Sequence, residues 1–198
     1  MAVSQNHKKI EIVAGPNGSG KSTFAESFFL RTRENAVFLN PDLIAAGIAP
    51  LDFDRAAFQA GRILINEVKQ RIARSESFSF ESTLSGKSWA PILANAKNEG
   101  YQVVLYFIFL GEVEQNLQRI ARRVKQGGHH IPTDAVLRRY PRCFANFWNL
   151  YRALAADWYV FDNSLAAPKL ILSMQRYEQA TTASQKILAK RFLERGNI

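Results

Sequence analysis

A glycine loop, "GPNGSGKST" at residues 15–23, follows directly on the apolar run at residues 9–14 and leads into a segment of helical character. Few folds accommodate that order. Gly15, Gly18 and Gly20 let the backbone turn tightly between a strand and a helix, with Pro16, Asn17 and Ser19 between them, so that successive amide N–H groups face one anion and the helix adds its positive end. Lys21 is then placed to reach the β- and γ-phosphates of a nucleoside triphosphate, and the hydroxyl of Ser22, followed by Thr23, to ligate Mg²⁺. The loop therefore predicts a strand–loop–helix unit in a parallel sheet that binds ATP through residues 15–23.

The remaining pattern extends that unit into a whole domain. Apolar runs predict strands over 36–40, 78–81, 101–110 and 158–161, with a sixth over 169–173. Between them Ala56, Ala60, Ile63, Leu64, Val68 and Ile72 recur at helical spacing, as do Val113, Leu117, Ile120 and Val124. Apolar strands alternating with helices imply an α/β three-layer sandwich, a mostly parallel sheet covered on both faces and joined by right-handed crossovers. With no internal repeat or linker, the 198 residues are expected to form a single domain, 1–198. The longest apolar run, residues 103–110, suits a buried strand and is too short for a membrane span, so no membrane partner is expected. The opening residues do not read as a signal peptide, and Cys143 is the lone cysteine, which together predict a reducing cytoplasm.

The formal net charge of +9 is concentrated. Between residues 115 and 152, Arg119, Arg122, Arg123, Lys125, Arg138, Arg139, Arg142 and Arg152 face a single acid, Asp134. Within this stretch "GGHHIPTD" breaks the helical pattern, Thr133 offers an N-cap to a second helix, and Pro141 is expected to end or kink that helix near Tyr140. A helix, loop and helix rich in arginine, about residues 119–142, reads as a lid over a triphosphate. A final helix over about 182–195, carrying Ala183, Ile187, Leu188 and Phe192, is expected to dock on the core.

Ligands of open α/β sheets bind beyond the carboxyl ends of the strands, which directs attention to two acids. Asp42, in "NPDLIAAG" just past the second strand, could accept a proton from an attacking hydroxyl or could cap the following helix. Glu81, in "SFSFESTLSG" with Ser82 and Thr83 behind it, could hold Mg²⁺ through water or contact the acceptor. It stands in an apolar strand, where an unpaired carboxylate costs several kcal/mol, so a cation or donors are expected to meet it. Phe53, Phe58, Trp89 and Tyr140 could stack a base or sugar, or could belong to the core.

Taken in order, "GPNGSGKSTF", "NPDLIAAG", "FSFESTLSG", "AKNEGYQVVLYFIFL", "RRVKQGGHHIP" and "YVFDNS" resemble the zeta-toxin-like P-loop kinases, in their short stand-alone branch, over residues 9–165. The resemblance implies strand order 2-3-1-4-5, ATP with Mg²⁺, Lys21 as the phosphate-binding lysine, Asp42 as general base and Glu81 on the substrate side. It also implies a small-molecule acceptor, UDP-N-acetylglucosamine in the zeta toxins proper, and an antitoxin-type protein partner that blocks the nucleotide site. Zeta toxins place arginines on both sides of the lid turn. Here Arg119 or Arg123 can supply the first, while His129 occupies the place of the second. Imidazole cannot form the bidentate fork of guanidinium, so Arg138 or Arg139 must supply the missing charge or the acceptor differs. The alternatives are a polynucleotide kinase and an ATP-gated module that binds nucleic acid or protein. The arginines cluster where a triphosphate needs them rather than along an aromatic groove, which disfavours nucleic acid.

Overall fold

The computed structural model describes residues 8–30, 37–49, 52–175, 192 and 194. Strand β1 (Lys9–Ala14) lies at the centre of a six-stranded sheet, buried along its length apart from Lys9. Around it stand β2 (Phe38–Leu39), β3 (Phe78–Ser82), β4 (Gln102–Phe109), β5 (Asp157–Asp162) and β6 (Lys169–Ser173), in the order β2-β3-β1-β4-β5-β6. The first five are parallel and in the expected order, and β6 adds to the edge antiparallel to β5. A strand flanked on both sides and covered on both faces must be apolar throughout, which is why β1 and β4 read as continuous apolar runs. The exception in β1, Glu11, is buried and accepts a hydrogen bond from the Tyr106 hydroxyl at 3.0 Å.

Six α-helices are described: α1 (Lys21–Ala25), α2 (Pro41–Ile48), α3 (Phe53–Ala73), α4 (Trp89–Asn98), α5 (Val113–Lys125) and α6 (Thr133–Asn146). On α3 the buried face is Ala56, Ala60, Leu64, Val68 and Ile72, whereas Ile63, expected on that face, is 40% exposed. Trp89 and Tyr140 belong to the core: Trp89 packs on Phe80 with ring centroids 4.5 Å apart, and the Tyr140 hydroxyl donates to the Leu110 carbonyl. Cys143 is fully buried, and burial pushes its thiol up to about 12. No helix among the described residues is long and apolar enough to cross a membrane. The expected 182–195 helix lies outside the described residues except for Phe192 and Glu194; Phe192 is buried against Phe107, Phe109, Phe144 and Phe147.

Two local expectations for the lid are corrected. Pro141 neither ends nor breaks α6, which runs through it to Asn146. An interior proline costs a helix roughly 3 kcal/mol, but α6 buries Val136, Tyr140, Cys143 and Phe144, and each large apolar side chain removed from water returns about 1.5–3 kcal/mol. Packing wins. Thr133 is the first helical residue rather than the cap; Pro132 precedes it and no side chain caps the helix.

The turn out of β1 has no room for a side chain. Gly15 sits at φ 136°, and a Cβ there would overlap the Ile108 carbonyl oxygen of β4. Gly15→Ala is expected to destabilise the fold by about 3 kcal/mol or more, measured by denaturant unfolding, because both the backbone and its neighbour would have to shift.

Candidate active site

Parallel pairing of β1 with β3 sets Val13 beside Glu81 and Ala14 beside Ser82, so the carboxylate in β3 arrives next to the glycine loop. Glu81 is 6% exposed and fully met. Its Oε1 lies 3.5 Å from Lys21 Nζ, and its Oε2 accepts from the Ser22 hydroxyl at 2.7 Å and from Asn40 Nδ2 at 3.2 Å. One cation and two donors account for a carboxylate in an apolar strand. Lys21 also donates to the Pro16 carbonyl at 3.0 Å and is itself buried, which folds its ammonium back over the loop.

Asp42 is not the cap of α2. Asn40 holds that role: its Oδ1 accepts from the backbone N–H groups of Asp42 at 2.8 Å and Leu43 at 3.4 Å, with Pro41 as the first helical residue. The same amide reaches Ser22 and Glu81 through Nδ2, tying the start of α2 to the loop. The Asp42 carboxylate therefore projects from the first turn toward the lid, with Oδ2 at 3.5 Å from His129 Nε2 and 4.0 Å from Arg123 Nη1. Arg123 in turn contacts the His129 ring nitrogen at 3.1 Å and its carbonyl at 3.2 Å. His129 thus meets the acid that follows β2, rather than standing apart on the lid.

Two cavities share this corner. The first, about 300 Å³, lies over the glycine loop and is walled by Lys21, Ser22, Glu81, Thr83, Arg119 and Arg123. The second, about 590 Å³, lies between α3 and the turn that joins α5 to α6 and is walled by Phe58, Arg62, His130, Ile131 and Arg139. Asn17 and Asp42 line both. Phe58 is 75% exposed there, so of the three candidate stacking aromatics whose side chains are described it alone lines either of these cavities; the Phe53 side chain lies outside the described residues. Arg139 enters the second cavity, whereas Arg138 is exposed and lines neither.

The donor set also bears on a divalent cation. The Ser22 hydroxyl and a Glu81 carboxylate oxygen lie 2.7 Å apart at the edge of the first cavity, hard oxygen ligands of the kind Mg²⁺ takes, so the residues fit that ion.

Three asparagines escaped the sequence reading. Asn40 carried a legible signal, an Asn before Pro-Asp at the start of a helix. Asn116 and Asn163 did not. Asn116, on the first turn of α5, donates to the Asn17 carbonyl at 2.7 Å; Asn163, after β5, donates to the Ser19 carbonyl at 2.8 Å and accepts from Arg119 through its own carbonyl at 2.8 Å.

A family model described as Zeta toxin matches residues 2–167 of the chain. A protein of Haemophilus influenzae, described as uncharacterized, is 41% identical over 140 residues, which cover 70% of this chain and 95% of that protein. Among solved structures, a chain from the PezAT chromosomal toxin–antitoxin system of Streptococcus pneumoniae superposes with a TM-score of 0.64 at 14% identity, covering 98% of this chain and 86% of that one. The AvrRxo1-ORF1:ORF2 complex with ATP gives 0.63 at 14% identity, covering 89% of this chain and 64% of that one. At these identities the two structures speak to the fold.

Proposed function

We propose, for a chain that belongs to the zeta toxin family and is an ATP-dependent kinase, that the γ-phosphoryl group passes from the glycine-loop cavity to a hydroxyl of a small metabolite seated in the neighbouring cavity. A UDP-N-acetyl sugar is the leading acceptor. The observation that carries this reading is the position of Asp42, whose side chain walls both cavities at the corner where they meet.

In this mechanism the amides of residues 15–23 and Lys21 hold the β- and γ-phosphates. Mg²⁺, held by Ser22 and by Glu81 directly or through water, would neutralise charge on the phosphate oxygens. Asp42 takes the proton of the acceptor hydroxyl as its oxygen bonds to the γ-phosphorus, and the bond from that phosphorus to the bridging oxygen breaks to release ADP. Arg119 and Arg123 stabilise the charge that spreads over the transferring group, and Thr83 contacts it from the β3 side. For that to happen Arg123 must exchange its contacts with Asp42 and His129 for phosphate, so the lid is expected to rearrange when nucleotide binds. Arg139 and Phe58 flank the acceptor, while Arg138 has no part in this reading. The antitoxin context of the PezAT neighbour supports an antitoxin-type protein partner for this chain as well.

Incubation with labelled ATP and a panel of sugar nucleotides, nucleosides and short oligonucleotides is expected to label a sugar nucleotide. Label on an oligonucleotide, with binding that falls steeply as salt rises, would replace this reading with a polynucleotide kinase. Hydrogen exchange over residues 119–142 is expected to slow when a non-hydrolysable ATP analogue is added. Unchanged exchange there with binding confirmed would detach the basic cluster from the nucleotide.

A further inference from the structure

Resting on the kinase reading, the phosphate cradle needs the glycine loop held in one shape before nucleotide arrives, and besides the contacts within the loop two side chains from outside it hold its carbonyls. We propose that Asn116 and Asn163 are positioning residues that aim the Gly18 and Gly20 amides into the phosphate cavity and tie the lid helix to that cradle. In a trans peptide the carbonyl and the following N–H point in opposite directions. Drawing the Asn17 carbonyl onto Asn116 therefore turns the Gly18 N–H away from the Asn116 side chain, and drawing the Ser19 carbonyl onto Asn163 turns the Gly20 N–H away from the Asn163 side chain. Both glycines line the first cavity, where an anion would meet those amides.

The packing around Asn116 leaves little else for it to do. It is fully buried, and among the described residues its Oδ1 meets no hydrogen-bond donor, so its bond to the loop is the polar contact that offsets its burial. A Cβ on Gly18 would come within 2.6 Å of the Asn116 carbonyl oxygen, so loop and helix meet backbone against backbone. Asn116, Arg119 and Arg123 then follow at helical spacing along one side of α5, and all three meet the site: the loop carbonyl, the Asn163 carbonyl and the Asp42 carboxylate. Because Asn163 holds Ser19 through its side chain and Arg119 through its carbonyl, the loop and the first lid arginine share one anchor. The cradle and the lid are thus set by the same two residues.

Asn163→Ala removes the bond to Ser19 yet leaves the backbone carbonyl that holds Arg119, and Asn116→Asp keeps the shape while replacing the donor with a carboxylate that repels the Asn17 carbonyl. Each is expected to weaken binding of ADP and ATP alike by about tenfold, the scale of one well-aimed hydrogen bond to a charged group, while adenosine, which lacks phosphate, binds as before. Fold is checked by circular dichroism, and if Asn116→Asp does not fold, Asn163→Ala decides alone. Unchanged ADP and ATP affinity in folded Asn163→Ala would overturn the proposal, as would an equal loss for adenosine, which would mark a general structural role.

Discussion

Lys21→Ala is expected to lower ATP turnover by about 10²- to 10³-fold and to weaken ATP binding, since in the proposed mechanism it removes the ammonium that holds the β- and γ-phosphates. The chain should stay folded but not unaffected. The side chain is 6% exposed and lies 3.5 Å from Glu81. Its loss leaves the buried carboxylate with the Ser22 and Asn40 donors alone. Removing one partner from a buried charged group costs about 1–3 kcal/mol even when others remain, so a modest fall in thermal midpoint should accompany the loss of turnover. Calorimetric titration with ATP and a thermal melt separate the two effects. A folded variant with unchanged ATP affinity and turnover would remove the loop from the proposed chemistry.

The parts legible in the sequence were those set by short-range pattern. The glycine loop could be read because strand, turn and helix must follow one another within a few residues, and the sheet order followed from the family resemblance together with the apolar runs that only buried parallel strands require. Glu81 announced itself because a carboxylate in such a strand has to be met by something, and Lys21, Ser22 and Asn40 meet it. What stayed hidden depends on distance along the chain. Asn163 reaches Ser19 across 144 positions and Asn116 reaches Asn17 across 99, and neither carries a local mark that separates it from a surface asparagine. The helix continues past Pro141 for the same reason, because the penalty of a proline is local while the aromatic packing that outweighs it comes from the whole core. Among the lid arginines the sequence could count charges but not tell Arg139, which enters the second cavity, from Arg138, which points to solvent; that difference is one helical step.

Asp42→Asn is expected to leave ATP binding nearly intact while phosphoryl transfer to the acceptor falls by about 10²- to 10⁴-fold, the range that loss of a positioned general base produces. The structure sharpens this contrast. Had Asp42 been the cap of α2, Asn would have served nearly as well and activity would have survived, but the cap is Asn40, so the helix start is indifferent to the substitution. The charge partners of Asp42 change little in stability either: its carboxylate is 39% exposed, and the contacts to His129 and Arg123 at 3.5 and 4.0 Å are solvent-screened pairs worth well under about 1 kcal/mol. Loss of transfer in a folded, ATP-binding variant therefore reports on the proton and not on the fold. ATP hydrolysis in the absence of acceptor should fall less, because a loosely placed water gains less from a fixed base than a bound acceptor hydroxyl does. Transfer retained at the wild-type rate would mean that no base is needed at this corner. Glu81 is a poor substitute, since both of its oxygens already face Lys21, Ser22 and Asn40. The reaction would then rest on positioning and charge alone, with Asp42 serving only to hold His129 and Arg123 in place before nucleotide binds.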